Sequence, residues 1–208
     1  MNISDQTAFR VFLKLLAGRV GQVANLQSLS SDVGVSSTTL AAWLSVLEAS
    51  FLVFRLPPYF ENFGKRFTKS PKIYFTDPGL AAHLLQIEDP GQVARDPLLG
   101  GLFENLVVVE TLKSRLNAGR EPELYYIRDQ SRMEIDLVLR KRRRLYPIEI
   151  KAAMTRQPEQ ARHLESFRKT AGAVMDRAAV VYGGELEVSV GGTDWITPRS
   201  LARWMEAE

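Results

Sequence analysis

The sequence predicts a two-part chain of mixed α/β class, and three observations carry that expectation. Residues 134–151, EIDLVLRKRRRLYPIEIK, hold two short apolar runs, Ile135–Leu139 and Leu145–Ile150, separated by Arg140–Arg144. Apolar, β-branched runs on either side of a charged break read as two antiparallel strands and their turn. Around this hairpin the order is helix, three strands, helix, strand. Ahead of it, residues 1–75 read as three helices and a two-stranded ribbon.

Each element has a local reason. Thr7–Ala17 sets Phe9, Phe12, Leu13 and Leu16 at helical spacing, and Gly18 stops it. Asn25 caps a second helix, Leu26–Val33, ended by Gly34; Ser36 or Ser37 caps a third, running to about Ser50. Leu40, Trp43, Leu44 and Leu47 give the third helix one apolar face. Phe51–Leu56 and Lys72–Phe75 read as strands, with Pro57-Pro58 as a turn. Three helices and a ribbon form a winged-helix pattern over 1–75. Such folds often read DNA through the third helix. Here its outward positions, Thr38, Thr39, Ala41, Ala42, Ser45 and Glu48, offer no cation for phosphates. The basic residues lie in or near the ribbon instead: Arg55, Lys65, Arg66, Lys69 and Lys72. Lys65, Arg66 and Lys69 are the candidate nucleic-acid contacts there; the alternative is a packing module that docks a neighbouring domain.

Residues 76–99 connect the halves: Asp77-Pro78 starts a short helix, Gly79–Leu85, followed by a loop with Asp89-Pro90-Gly91 and Asp96-Pro97. Residues 100–208 form the second domain. Leu102, Leu106, Val109, Leu112 and Leu116 mark a long helix, and Leu124–Arg128 the strand before the hairpin. Pro158–Thr170 is a helix, Ala178–Tyr182 a buried strand, Glu187–Val190 a last strand and Arg199–Glu206 a closing helix. Gly183-Gly184 and Gly191-Gly192 read as turns.

Composition narrows the chemistry. Lys and Arg total 27 against 24 Asp and Glu, a surplus of 27 − 24 = 3 that permits a nucleic-acid partner without demanding one. With no Cys and only His83 and His163, neither a disulfide framework nor a zinc hydrolase is expected. The N-terminal FRVFLKLL, broken by Arg10 and Lys14, is too short and too charged for a leader or a membrane span, so a cytoplasmic protein is expected. No G-x-S-x-G elbow and no G-x-x-x-x-G-K-[ST] loop occurs, so neither a serine hydrolase nor ATP binding by that loop is expected.

What remains is the hairpin. Side chains alternate along a strand, so Glu149 and Lys151 share a face, and Asp136 and Glu134 share one on the facing strand. Where the two polar faces coincide, Asp136, Glu149 and Lys151 converge. Carboxylates beside an ammonium suit a hard divalent cation, Mg²⁺ or Mn²⁺, and phosphodiester hydrolysis. A Glu and a Lys at alternate strand positions are also common on a solvated face, where their ion pair is worth little. Arg142, Arg143 and Arg144 are either an exposed turn or a nucleic-acid contact steering a backbone toward the metal.

The Asp…Glu-x-Lys spacing resembles the PD-(D/E)xK nuclease superfamily, with Ile135-Asp136 in place of Pro-Asp. The resemblance implies a restriction-endonuclease-like mixed sheet, metal ligands Asp136 and Glu149, and a catalytic Lys151. It also implies a Glu from the preceding helix, for which Glu104 in LFENLVVVETLKSR is placed; periodicity does not fix whether that helix turns Glu104 toward the strands. The run from FLKLLAGRVG to IYFTDPGL, with GLFENLVVVETLKSR, YYIRDQSRMEIDLVL and IEIK, resembles the C-terminal region of a large prokaryotic family of AAA-type ATPases. That likeness implies an ATPase domain upstream or in trans, with this chain either a fragment or a protein that has lost its motor. Two functions follow: a metal-dependent nuclease, with DNA as the expected substrate, or a non-catalytic module coupling DNA or a protein partner to an ATPase.

Overall fold

A computed structural model describes residues 5–59, 70–129 and 133–207. They fall into two compact units, one running up to Leu56 and including Ser70–Asn105, the other starting at Pro57 and resuming at Leu106. The sequence suggests a boundary in a linker over 76–99. The division instead falls within one helix, because residues 76–84 pack as part of the first unit.

The first unit holds α1 (Gln6–Ala17), α2 (Leu26–Val33), α3 (Ser37–Ala49), β1 (Val53–Leu56), β2 (Lys72–Phe75), α4 (Pro78–Leu84) and the short α5 (Pro90–Val93). Asp5, Asn25, Ser36 and Asp77 cap α1 to α4 through their side-chain oxygens. Phe12, Leu16, Leu40, Trp43, Leu44 and Leu47 are buried, and Phe9 and Phe12 pack on the Trp43 ring. β1 begins two residues later than the sequence suggests. Phe51 is left-handed (φ 56°), the Phe51 N–H bonds the Glu48 carbonyl, and the Leu52 N–H bonds the Leu47 carbonyl. That is the pattern that ends a helix, so Phe51 closes α3 instead of opening a strand. β1 and β2 are antiparallel. Along the other edge of β2, the Gly21 N–H donates to the Ile73 carbonyl at 3.0 Å, and the Asn105 side-chain amide exchanges both hydrogen bonds with the Phe75 backbone at 2.7 and 2.9 Å.

The helix α6 (Leu99–Asn117) follows. The second unit then contains β3 (Leu124–Arg128), β4 (Glu134–Lys141), β5 (Arg144–Lys151), α7 (Arg162–Ala171), β6 (Ala178–Tyr182), β7 (Val188–Val190), β8 (Thr193–Ile196) and α8 (Leu201–Glu206). Its six-stranded mixed sheet has the order β3-β4-β5-β6-β8-β7, antiparallel except for β5 with β6 and β6 with β8. One face packs Ile135, Val138, Leu145, Val180, Tyr182 and Trp195 against Leu164 and Phe167 of α7. β8 is absent from the sequence-based expectation. It sits inside the sheet although TDWI is short and half polar, and the left-handed Gly191 and Gly192 form the two-residue turn that folds β7 onto it. Among the described residues, no helix is long and apolar enough to cross a membrane.

The β4–β5 turn is tighter than the charged break implies. Lys141 already pairs with Arg144, leaving Arg142 and Arg143 as the two turn residues, both left-handed at φ 50° and 66°. Two-residue hairpin turns of this hand favour Asn-Gly, and a residue with a Cβ there costs about 1 kcal/mol. Replacing Arg142-Arg143 by Asn-Gly is therefore expected to raise stability by about 1 kcal/mol, read as a higher urea midpoint at unchanged slope. An unchanged midpoint would show that the arginines bear no such strain.

Candidate active site

The acidic cluster forms where β4 and β5 stop pairing regularly. Register runs from Lys141↔Arg144 to Leu137↔Ile148. On the other side of β4, Tyr125 faces Val138 but Ile127 faces Ile135, so β4 carries one extra residue there. This β-bulge puts both Ile135 and Val138 into the same core and breaks simple alternation at Asp136. Past Ile148, the Ile150 N–H is taken by the Asp136 side chain, donating to Oδ2 at 2.8 Å. Glu149 and Lys151 alternate as expected, on the face that carries α7, opposite Val180 and Tyr182 of β6.

Lys151 Nζ joins the two carboxylates, 3.2 Å from Asp136 Oδ2 and 2.6 Å from Glu149 Oε2. Glu149 is 1% exposed, and its second oxygen, Oε1, is buried with no hydrogen-bond partner among the described residues. Nδ1 of His163, on α7, lies 3.4 Å from it. Burial, then the negative charge of Asp136, outweighs the pull of Lys151 and pushes the Glu149 carboxyl up to about 8. Burial alone would lower the Lys151 ammonium, but Asp136 and Glu149 together raise it. Near neutral pH the cluster holds its charge balance by keeping a proton on Glu149.

That proton has a consequence for stability. A carboxyl at about 8 in the folded chain and near 4.5 unfolded binds more protons folded than unfolded between those values. Its contribution is fully present below the unfolded value and falls as pH rises toward 8. With chelator present, Glu149→Gln should flatten this decline and leave the variant more stable than the parent at pH 9, as read from melting temperatures between pH 5 and 9. An unchanged slope would mean that Glu149 ionises freely.

The donor set fits a hard cation of the Mg²⁺ type. Two carboxylates suffice for an ion that keeps most of its waters, and Glu149 Oε1 is a buried carboxyl oxygen lacking a donor.

Of the four residues expected here, the structure brings together Asp136, Glu149 and Lys151. Glu104 has partners in the first unit: its Oε1 accepts from Lys72 Nζ at 3.0 Å and from the Tyr74 hydroxyl at 2.6 Å, beside Gly21. Lys72 is itself buried, so that ribbon cation points inward. Arg55 is paired with Glu48 of α3. Lys65, Arg66 and Lys69 lie outside the described residues. The register puts Arg142 and Arg143 at the closed end of the hairpin and the acidic cluster at the open end. Arg144 is engaged by Asp176 at 3.4 Å. Sequence reasoning misses His163 as a site residue; an imidazole just beyond the Pro158–Ala161 start of α7 is its only signal.

Two family models match the chain. Residues 1–91 match one described as "Domain of unknown function (DUF8612)", and residues 99–201 match one described as "Domain of unknown function (DUF4143)". Two mycobacterial relatives, "Uncharacterized protein Mb2031c" of Mycobacterium bovis and "Uncharacterized protein Rv2008c" of Mycobacterium tuberculosis, are each 37% identical over 175 residues. The match covers 82% of this chain but 37% of either relative, so the chain spans well under half their length. No solved structure gives a significant match.

Proposed function

We propose that the second unit is a metal-dependent nuclease of PD-(D/E)xK type that hydrolyses phosphodiester bonds, with DNA as its substrate. The observation that carries this reading is the buried, donor-less Glu149 Oε1 beside Asp136, with Lys151 Nζ reaching both carboxylates. The order helix, three strands, helix, strand and the antiparallel-then-parallel sheet around β5 support it. In this reading Asp136 and Glu149 hold Mg²⁺ or Mn²⁺, which when bound lowers the pKa of a water and stabilises negative charge on the phosphate. Lys151 then orients the nucleophile and offsets charge developing on the phosphoryl oxygens. His163, beside Glu149, positions that carboxylate. The first three helices and the ribbon of the first unit are read as a winged helix acting as a docking module, since the third helix offers no cation and Lys72 is buried. The resemblance to ATPase C-terminal regions supports an AAA-type ATPase domain as working partner.

A second reading has its own support. Lys151 bonds one oxygen of each carboxylate from within the chain, as in a structural ion cluster, and Glu104 is held by Lys72 and Tyr74. A nuclease fold retained as an interaction module would look like this. A cleavage assay on linear, supercoiled and branched DNA with Mg²⁺ or Mn²⁺, with and without chelator, decides between them. Metal-dependent cutting abolished by Asp136→Asn is expected. No cutting of any substrate with either metal, together with no calorimetric Mn²⁺ binding, would leave the interaction module.

A further inference from the structure

The closed end of the β4–β5 hairpin borders an open cleft of about 760 Å³ within the second unit. Six cations line it, Arg115 and Arg120 from the end of α6 and the loop beyond, and Arg140, Lys141, Arg142 and Arg143 from the hairpin. The single acid in the described lining, Glu123, is already engaged by Arg140 at 2.5 Å. Arg115 is fixed by the backbone carbonyls of Glu121 and Pro122, so its guanidinium is held at the cleft by the fold. Gathering like charges opposes folding, and the hairpin adds to that by setting arginines at two left-handed positions where Asn-Gly would be relaxed. Burial and the neighbouring Arg120 both lower the Arg115 guanidinium, so an anion in the cleft would relieve the crowding.

We propose that this cleft is a phosphate-binding site that seats the backbone of a nucleic-acid strand, an assignment that rests on the nuclease reading. Its lining, among the described residues, carries no aromatic ring on which a base would stack, so it suits phosphates and is indifferent to sequence. Arg140 lies opposite Leu145, and alternation along β5 puts Leu145 on the face of Glu149 and Lys151. From Asp136 to Lys141 is five residues, or ~17 Å at ~3.3 Å per residue, which is the axial rise of ~5 base pairs. Because α7 covers the face between them, a strand seated in the cleft is held at the closed end of the hairpin, about that distance from the acidic cluster.

Fluorescence anisotropy of a labelled DNA duplex, measured in EDTA over a range of salt, tests this without any cleavage. Removing three cations with Arg120→Gln, Arg142→Gln and Arg143→Gln should lower the slope of log affinity against log salt by about 2.7, roughly 0.9 for each phosphate no longer neutralised. Arg144→Gln, outside the cleft and paired with Asp176, should leave the slope nearly unchanged. An unaltered slope in the triple variant, or an equal drop in Arg144→Gln, would overturn the site. Calorimetry with inorganic tripolyphosphate separates the sources: if it binds through these three arginines while duplex DNA does not bind, the nucleic-acid assignment is overturned. The nuclease reading fails separately, if the parent chain cuts no DNA with Mg²⁺ or Mn²⁺.

Discussion

Lys151→Ala is expected to lower the DNA cleavage rate at saturating substrate by about 10²–10³, the usual cost of removing one preorganised charge from a transition state. Nothing comparable should happen to binding. Duplex affinity in the proposed arrangement comes from phosphate contacts away from Lys151, so KM should move little. The metal should behave in the opposite sense to the rate. Lys151 Nζ sits 2.6 Å from Glu149 Oε2 and 3.2 Å from Asp136 Oδ2, where it competes with any cation for the same oxygens. Its removal should tighten Mn²⁺ binding in calorimetry, while metal-free stability falls because the two carboxylates lose the charge between them. Tighter metal with slower chemistry is a combination that a purely structural ion cluster would not give. Unchanged turnover alongside intact metal binding would take Lys151 out of the reaction.

The hairpin is legible because its signals are local. Two apolar runs around a charged break locate β4 and β5, and a period of two puts Glu149 and Lys151 on one face. Asp136 falls opposite Glu149, next to the pair Leu137↔Ile148, so alternation joins it to them once the strand register is known. The β-bulge depends on how β4 pairs with β3, so alternation within β4 cannot reveal it. The turn reads too broadly, since Arg140 to Arg144 looks like one charged break; only the register shows that Arg140 and Lys141 are still strand residues. β8 escapes because TDWI is short and half polar, whereas the fold ties its Asp194 to Arg177, Ser189 and Trp204. The rotation of α6 is equally hidden. Val107, Val108 and Val109 are all buried, so that stretch shows no single apolar stripe from which to infer where Glu104 points.

Glu104→Ala is the variant in which the two views of that residue part most sharply. Its carboxylate lies 3.0 Å from the ammonium of Lys72, which is 2% exposed, and 2.6 Å from the Tyr74 hydroxyl, which donates to it. Taking one partner from a buried ion pair typically costs about 3–5 kcal/mol, because the remaining charge keeps its desolvation penalty without its counter-charge. Glu104→Ala should therefore shift the urea midpoint sharply downward, an effect read in the first unit. Joining it to Lys72→Met, which removes the ammonium as well, should recover much of that stability, since paired buried charges are often replaceable by apolar groups of similar volume. Mn²⁺ binding at the Asp136–Glu149 cluster should be preserved in any Glu104 variant that remains folded. The opposite result is equally readable. A Glu104→Ala chain that is as stable as the parent but binds Mn²⁺ weakly would return Glu104 to the metal site, and with it the four-residue constellation that the sequence suggests.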